Sequence, residues 1–229
     1  MSNFKELEKI VGIEFKDKDL IQEALTHRSY LNENRNLNIS HNERLEFLGD
    51  AVLELVVTEY LFGNYTNQEG ELTNWRAALV KGENLAKVAD KLDIEKFLKM
   101  SKGESKDTGR ARNYRLANMM EAIIGAMYLD QGYEPVKKFI TKNIISELTS
   151  IIKNKTYLDA KSYFQQKAQE EMQVTPHYEV IKEWGPDHDK TFRVGVFVNE
   201  EKIAEGEGAS KQDAQRNAAA NGLEAKGWK

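Results

Sequence analysis

The feature that most constrains this chain is a single change of hydrophobic period. From residue 4 to about 152 apolar residues recur mainly at helical spacing, and after about Thr156 they alternate as in strands. Such a chain builds a helical structure first and a mixed one after it. In the first part Leu7, Ile10 and Val11 make one stripe, and Leu20, Ile21, Ala24 and Leu25 another. Leu45, Leu48, Val52, Leu55 and Val56 predict a helix over about 41–62, and Ser40-His41-Asn42-Glu43 before it has the capping-box pattern. Further helices fit Trp75, Leu79 and Val80, then Leu85, Val88, Ala89 and Leu92, then residues 116–128, and a last one near Pro135. Residues 101–113 have no periodicity and read as an exposed, mobile loop.

In the second part a short helix from about 159, with Phe164, Ala168 and Met172 on one face, precedes three alternating runs at about 176–183, 191–198 and 201–207. A final helix is expected from Ser210, whose spacing to Asp213 is a cap pattern. The expected fold class is therefore an all-α domain over 1–153 and a small α+β domain, in the order αβββα, over 157–229. The join, IIKNKTYLD, is short and not rich in Gly or Ser.

Composition narrows the function classes. Of the 229 residues, 40% are hydrophobic, 31% are charged and only 3 are Pro, which excludes disordered and collagen-like chains. The longest apolar run, residues 122–129, is far short of the ~20 residues that span a bilayer, so no membrane partner is expected. The start, MSNFKELEKI, has no apolar core of a secretory signal. Zero Cys excludes disulfides, thiolate catalysis and Cys-based zinc sites, and suits a reducing cytoplasm. Four His are too few for His-rich metal chemistry. The net charge of -4 means that any nucleic acid would be bound by local clusters against an unhelpful overall field.

Two acidic pairs carry chemistry. Glu46 and Asp50 stand four residues apart, and Asn118 and Glu121 three apart, so each pair shares one helix face. Two helices that each offer a pair of oxygen ligands beside the apolar stripe are how helical proteins build carboxylate metal sites. At ~4 Å and an effective dielectric of about 20, two carboxylates repel by about 4 kcal/mol, so the cluster requires a divalent cation or a shared proton. Mg²⁺, hard and oxygen-loving, fits better than zinc. A solvated acidic face explains one such pair as well as a site does, and explains two pairs less well.

The segment HNERLEFLGDAVL, with EALTHRSY before it and EGELTNWRAALV and EAIIGAMYLD after it, resembles the signature of ribonuclease III, the endonuclease of double-stranded RNA. The C-terminal part, with its Gly-Pro-x-His turn and GEGASKQDAQRNAA, resembles a double-stranded RNA-binding domain. The two likenesses cover nearly the whole chain in the bacterial order, and the match to ERLEFLGDA is highly specific.

The resemblance implies an Mg²⁺ ion, with Mn²⁺ as a substitute, held by Glu46, Asp50, Asn118 and Glu121. Asp50 and Glu121 are implied as catalytic, Glu121 being the ligand most tied to the chemistry. Metal-activated water would attack a phosphodiester and leave 5′-phosphate and 3′-hydroxyl ends. A homodimer with one centre per subunit would leave two-nucleotide 3′ overhangs, and Phe47 would enter a pocket of the other subunit, the plain alternative being intrachain core. Processing of ribosomal and messenger RNA in the cytoplasm is implied as well. Glu43 and Glu69 match family acids that help engage RNA, yet helix caps, the capping box and Thr66-x-x-Glu69, explain them equally well. His41 beside a helix start is expected to be exposed and neutral.

One position departs from the family pattern. Asn118 stands where the family has Asp, so one negative charge is missing. This implies weaker Mg²⁺ binding with chemistry retained; the alternative is a double-stranded RNA-binding protein whose cleavage is impaired or absent.

In the C-terminal part the resemblance implies that Ser162, Gln165, Gln166 and Gln169 enter a minor groove, although a plain solvent face looks the same. Duplex RNA displays its 2′-hydroxyls there, and side chains that both donate and accept suit them. His188 would be a second minor-groove probe, and Lys211 and Arg216 would meet phosphates. This half has 10 basic against 13 acidic residues, and Gln212 and Gln215 stand where family members usually carry cations. Modest affinity with a shallow salt dependence is expected.

Overall fold

The computed structural model describes residues 2–155, 157, 159–186 and 190–228. It divides into two compact units, 1–157 and 158–229.

The described part of the first unit is helical: α1 (Ser2–Val11), α2 (Lys18–Ala24), α3 (Arg28–Glu33), α4 (Glu43–Asn64), α5 (Glu69–Val80), α6 (Gly82–Lys91), α7 (Gly109–Gln131), α8 (Tyr133–Asn143) and α9 (Leu148–Lys153), with short 3-10 turns between some of them. Its core is one continuous apolar cluster, in which Leu45, Val52, Leu53, Val56 and Val57 of α4 meet Leu116, Met119, Met120, Ile123 and Ile124 of α7. Leu55, expected inward, is exposed, and Leu53 and Val57 take the buried face instead. Tyr157 packs edge-on against the buried Trp75, with ring centroids 6.1 Å apart, and so belongs with the first unit.

The crossing of α4 and α7 is set by two glycines. A Cβ on Gly49 would lie 1.8 Å from the backbone oxygen of Glu121, and one on Gly125 would lie 2.2 Å from that of Leu45. No side chain fits at either point, so the helices meet backbone to backbone.

Three local expectations are corrected. The helix expected over about 41–62 runs from Glu43 to Asn64, and Ser40 does not cap it. Asn42 occupies the cap position without a side-chain bond; it is 2% exposed and its N–H donates to the Thr26 carbonyl oxygen at 2.9 Å. A tertiary contact, rather than a capping box, therefore fixes the start of α4. Likewise α5 begins after Gln68 with no cap from Thr66, and the Glu69 carboxylate accepts instead from Thr73 Oγ1 at 3.0 Å. Residues 101–113, read as a loop, include a 3-10 turn at Glu104–Lys106 and the first turn of α7. Ion pairs replace apolar contacts there: Arg112 grips Glu95 and Asp90, which is why no hydrophobic period marks the helix start.

In the second unit α10 (Ala160–Met172) precedes β1 (His177–Trp184), β2 (Thr191–Val198), β3 (Glu201–Gly208) and α11 (Lys211–Ala225). The strands form one antiparallel sheet in the order β1-β2-β3. Val194, Val196 and Val198 bury against Phe164 and Ala168 of α10 and Ala214, Ala218, Ala219 and Leu223 of α11. Ser210 caps α11 by accepting from the Asp213 N–H at 3.1 Å. Met172, expected on the buried face, is 36% exposed, because the helix ends at Gln173 in the left-handed conformation and Val174 packs against the core in its place.

Candidate catalytic centre and RNA-facing surfaces

The glycine crossing places the face of α4 that bears Glu46 and Asp50 against the face of α7 that bears Asn118 and Glu121. These four residues act on one another electrostatically. Burial, then Asp50 and Glu46, push the Glu121 carboxyl up to about 8 from an ordinary 4.5. Burial, then Glu43, also raise Glu46, with Asp50 adding to the effect while hydrogen bonding by the Asn118 side chain works against it. A raised carboxyl in a group of like charges is one that holds a proton until a cation replaces it.

Donor chemistry fits a hard cation. Glu46 Oε2 is buried without a hydrogen-bond partner, and a buried carboxylate oxygen left unsatisfied is free to accept a ligand. Glu46 and Asn118 line one cavity together with His27, Glu104 and Arg115. Asp50 is solvent-exposed and is not part of that lining. Among the described residues no three acidic or His side chains converge closely enough to hold one ion as they stand. The carboxylates repel one another, and Glu121 relieves part of that repulsion by keeping its proton.

The remaining expected residues are distributed as follows. Glu43 opens α4, exposed, 3.5 Å from Arg28 Nη1 and 3.8 Å from His41 Nδ1. His41 is itself partly exposed. Phe47 is 82% exposed, so the intrachain-core alternative is overturned. Glu69 lines a different cleft, between α4 and α5, with Leu61, Phe62, Tyr65, Leu72 and Arg76. Ser162, Gln165, Gln166 and Gln169 are all exposed and form one shallow strip along α10. That strip also contains Glu170, which accepts from Gln166 at 2.7 Å and pairs with Lys167 at 2.9 Å. Lys211 is exposed over the Phe192 ring, and Arg216 pairs with Asp213 at 3.2 Å. His188 lies outside the described residues.

Sequence reasoning missed Arg115, the buried charged residue of α7. Its only sequence signal is a cation three residues before Asn118 on the same helix face.

Two family descriptions match the chain: "Ribonuclease-III-like" over residues 17–148 and "Double-stranded RNA binding motif" over 160–226. Together they define the class, a helical nuclease domain followed by a double-stranded RNA-binding domain. A protein named Ribonuclease 3 from Streptococcus equi subsp. zooepidemicus is 43% identical over 218 residues, 95% of this chain and 94% of that one. Another of that name from Natranaerobius thermophilus is 45% identical over 215 residues, 93% and 92%. The nuclease domain of ribonuclease III from Campylobacter jejuni superposes with a TM-score of 0.57 at 42% identity, covering 64% of this chain and 97% of that one. A second structure of that domain, whose description names a region involved in dimer formation, gives 0.56 at 43% identity and covers 62% and 95%. The chain belongs to the ribonuclease III family and is an endoribonuclease of double-stranded RNA. Among the described residues no helix is long and apolar enough to cross a membrane.

Proposed function

We propose that residues 1–153 hydrolyse phosphodiesters of duplex RNA at the α4–α7 centre and that the second unit, residues 158–229, holds the duplex. The supporting observation is the glycine-set crossing, which faces Glu46 and Asp50 with Asn118 and Glu121 and leaves Glu46 Oε2 without a partner. Those four side chains would hold Mg²⁺, or Mn²⁺ in its place. A bound divalent ion supplies an acidified water and neutralises charge that builds on the phosphate and leaving oxygen. The chain's own residues do the rest. Asp50 and Glu121 would hold the ion at the reacting centre, Glu121 yielding its proton as the ion binds, Glu46 and Asn118 would complete the ligand set, and Glu43 and Glu69 would engage the RNA. On the second unit, Ser162, Gln165, Gln166 and Gln169 meet 2′-hydroxyls, while His188, Lys211 and Arg216 complete the grip at the minor groove and on phosphates.

Phe47, exposed on α4, is assigned to the interface of a homodimer, because a large aromatic ring on the surface favours a protein partner over water. Two centres acting on opposite strands would leave 5′-phosphate and 3′-hydroxyl ends with two-nucleotide 3′ overhangs. Processing of ribosomal and messenger RNA in the cytoplasm is the role that the family resemblance implies for that activity. A perfect RNA duplex incubated with Mg²⁺ or Mn²⁺ tests the assignment: short products with those ends support it when Glu121→Gln abolishes them. Duplex left intact by the wild-type chain in both metals would instead favour a binding protein disabled by Asn118.

A further inference from the structure

Arg115 is 7% exposed. A guanidinium does not give up its charge, so a buried one needs acceptors; both terminal nitrogens of Arg115 find them, while its Nε is left without one. Among the described residues its acceptors come from one short segment. Nη1 donates to Asp107 Oδ2 at 2.9 Å and Glu104 Oε2 at 3.3 Å, and Nη2 donates to the Glu104 carbonyl oxygen at 2.7 Å. The other end of that segment is tied to α3: the Ser101 N–H donates to Ser29 Oγ at 3.0 Å, and Ser29 Oγ lies 2.8 Å from His27 Nδ1. The Glu104 N–H closes the turn on Ser101 Oγ at 3.3 Å. Residues 101–107 are thus fastened at both ends while Lys102 and Lys106 remain exposed on their outer side.

The same segment forms a wall of the cavity that contains Glu46 and Asn118, to which Glu104, Asp107 and Arg115 also contribute. From Arg115 to Asn118 is three residues, so the anchor and the proposed metal ligand share one face of α7. We propose that Arg115 is a positioning residue for the nuclease, which holds residues 101–107 as a fixed wall beside the acidic centre. Held there, the carboxylates of Glu104 and Asp107 are engaged by the guanidinium instead of facing RNA phosphates, and the segment's conformational freedom is already lost before RNA binds. Released, the wall must be ordered at each binding event and two uncompensated carboxylates stand in the path of a polyanion.

The inference rests on the nuclease assignment above. Arg115→Leu is expected to raise KM for a duplex RNA about tenfold, equivalent to about 1.4 kcal/mol, with kcat within about twofold of wild type. Amide hydrogen exchange at residues 101–107 should quicken while the α4–α7 core keeps its protection. An unchanged KM with a loosened segment would overturn the proposal, as would a collapse of kcat at unchanged KM. Should Arg115→Leu not fold, Arg115→Lys, which keeps the charge but lacks the fork that reaches both Asp107 and Glu104, is expected to raise KM about threefold, and an unchanged KM there would equally overturn it. Wild-type cleavage in the same series tests the nuclease assignment separately; without it, the dissociation constant for the duplex takes the place of KM and is expected to rise by the same factors.

Discussion

Gly49 lies so close to Glu121 that a methyl group on its Cα would sit 1.8 Å from the Glu121 backbone oxygen. The residue between Glu46 and Asp50 on α4 is thereby the contact point with the residue of α7 assigned to catalysis. Site geometry and helix packing are one feature in this protein.

Gly49→Ala should therefore damage both. The added Cβ forces the helices apart, which is expected to cost about 3 kcal/mol in chemical denaturation and to lower duplex cleavage by about 100-fold. A variant with wild-type stability and activity would show that the backbone contact does not set the centre.

Asn118→Asp adds the negative charge that the family resemblance implies at that position. Half-maximal cleavage is expected at about tenfold lower Mg²⁺, which corresponds to roughly 1.4 kcal/mol. In EDTA the same variant should be less stable by about 1 kcal/mol, because a new carboxylate joins Glu46, Asp50 and Glu121. Equal Mg²⁺ requirements for the two chains would remove the ligand-weakening role of Asn118.

The metal-free protein should lose stability as pH rises. Glu121, raised to about 8 by burial and by Asp50 and Glu46, keeps its proton when folded and loses it near 4.5 when unfolded. Between those values the folded state binds more protons, so the stabilisation present below about 4.5 is lost by about 8. The loss is on the order of 2 kcal/mol, well under the full linkage value because the carboxyl is partly exposed to water. Urea titrations in EDTA near pH 5 and pH 8.5 check this: Glu121→Gln should show a flatter dependence, and parallel curves would contradict the assignment of the shift.

Few cations of the second unit are available to phosphates. Arg216 is held by Asp213, Lys167 by Glu170, and Lys161 donates to Gln215 at 2.8 Å. The log-log salt slope for duplex binding is expected to be no steeper than about -4, and Lys211→Ala should reduce its size by about 1. A steeper wild-type slope would mean that phosphate contacts come from elsewhere.

The helical first part, the αβββα order and the Ser210 cap were legible because each depends on local pattern, a period or a capping spacing. Local pattern failed where tertiary contacts decide. Asn42 is fixed by the Thr26 carbonyl, so Ser40 has no role at the start of α4. Arg112 and Arg115 start α7 through ion pairs, which leave no apolar period to read. For the centre, spacing put Glu46 with Asp50 and Asn118 with Glu121, but only the close approach at Gly49 and Gly125 shows that the two pairs face each other. Phe47 could be placed next to the acidic face by sequence; whether it points inward required the packing.

The most direct test is a Mn²⁺ titration of the full chain followed by electron paramagnetic resonance, with Glu46→Gln and Glu121→Gln in parallel. Specific Mn²⁺ binding at the α4–α7 centre is expected in the wild type, displaced by Mg²⁺ and weakened at least tenfold by either substitution. Mn²⁺ binding that is absent from the wild type, or unchanged in both variants, would contradict a metal centre built from these two helices.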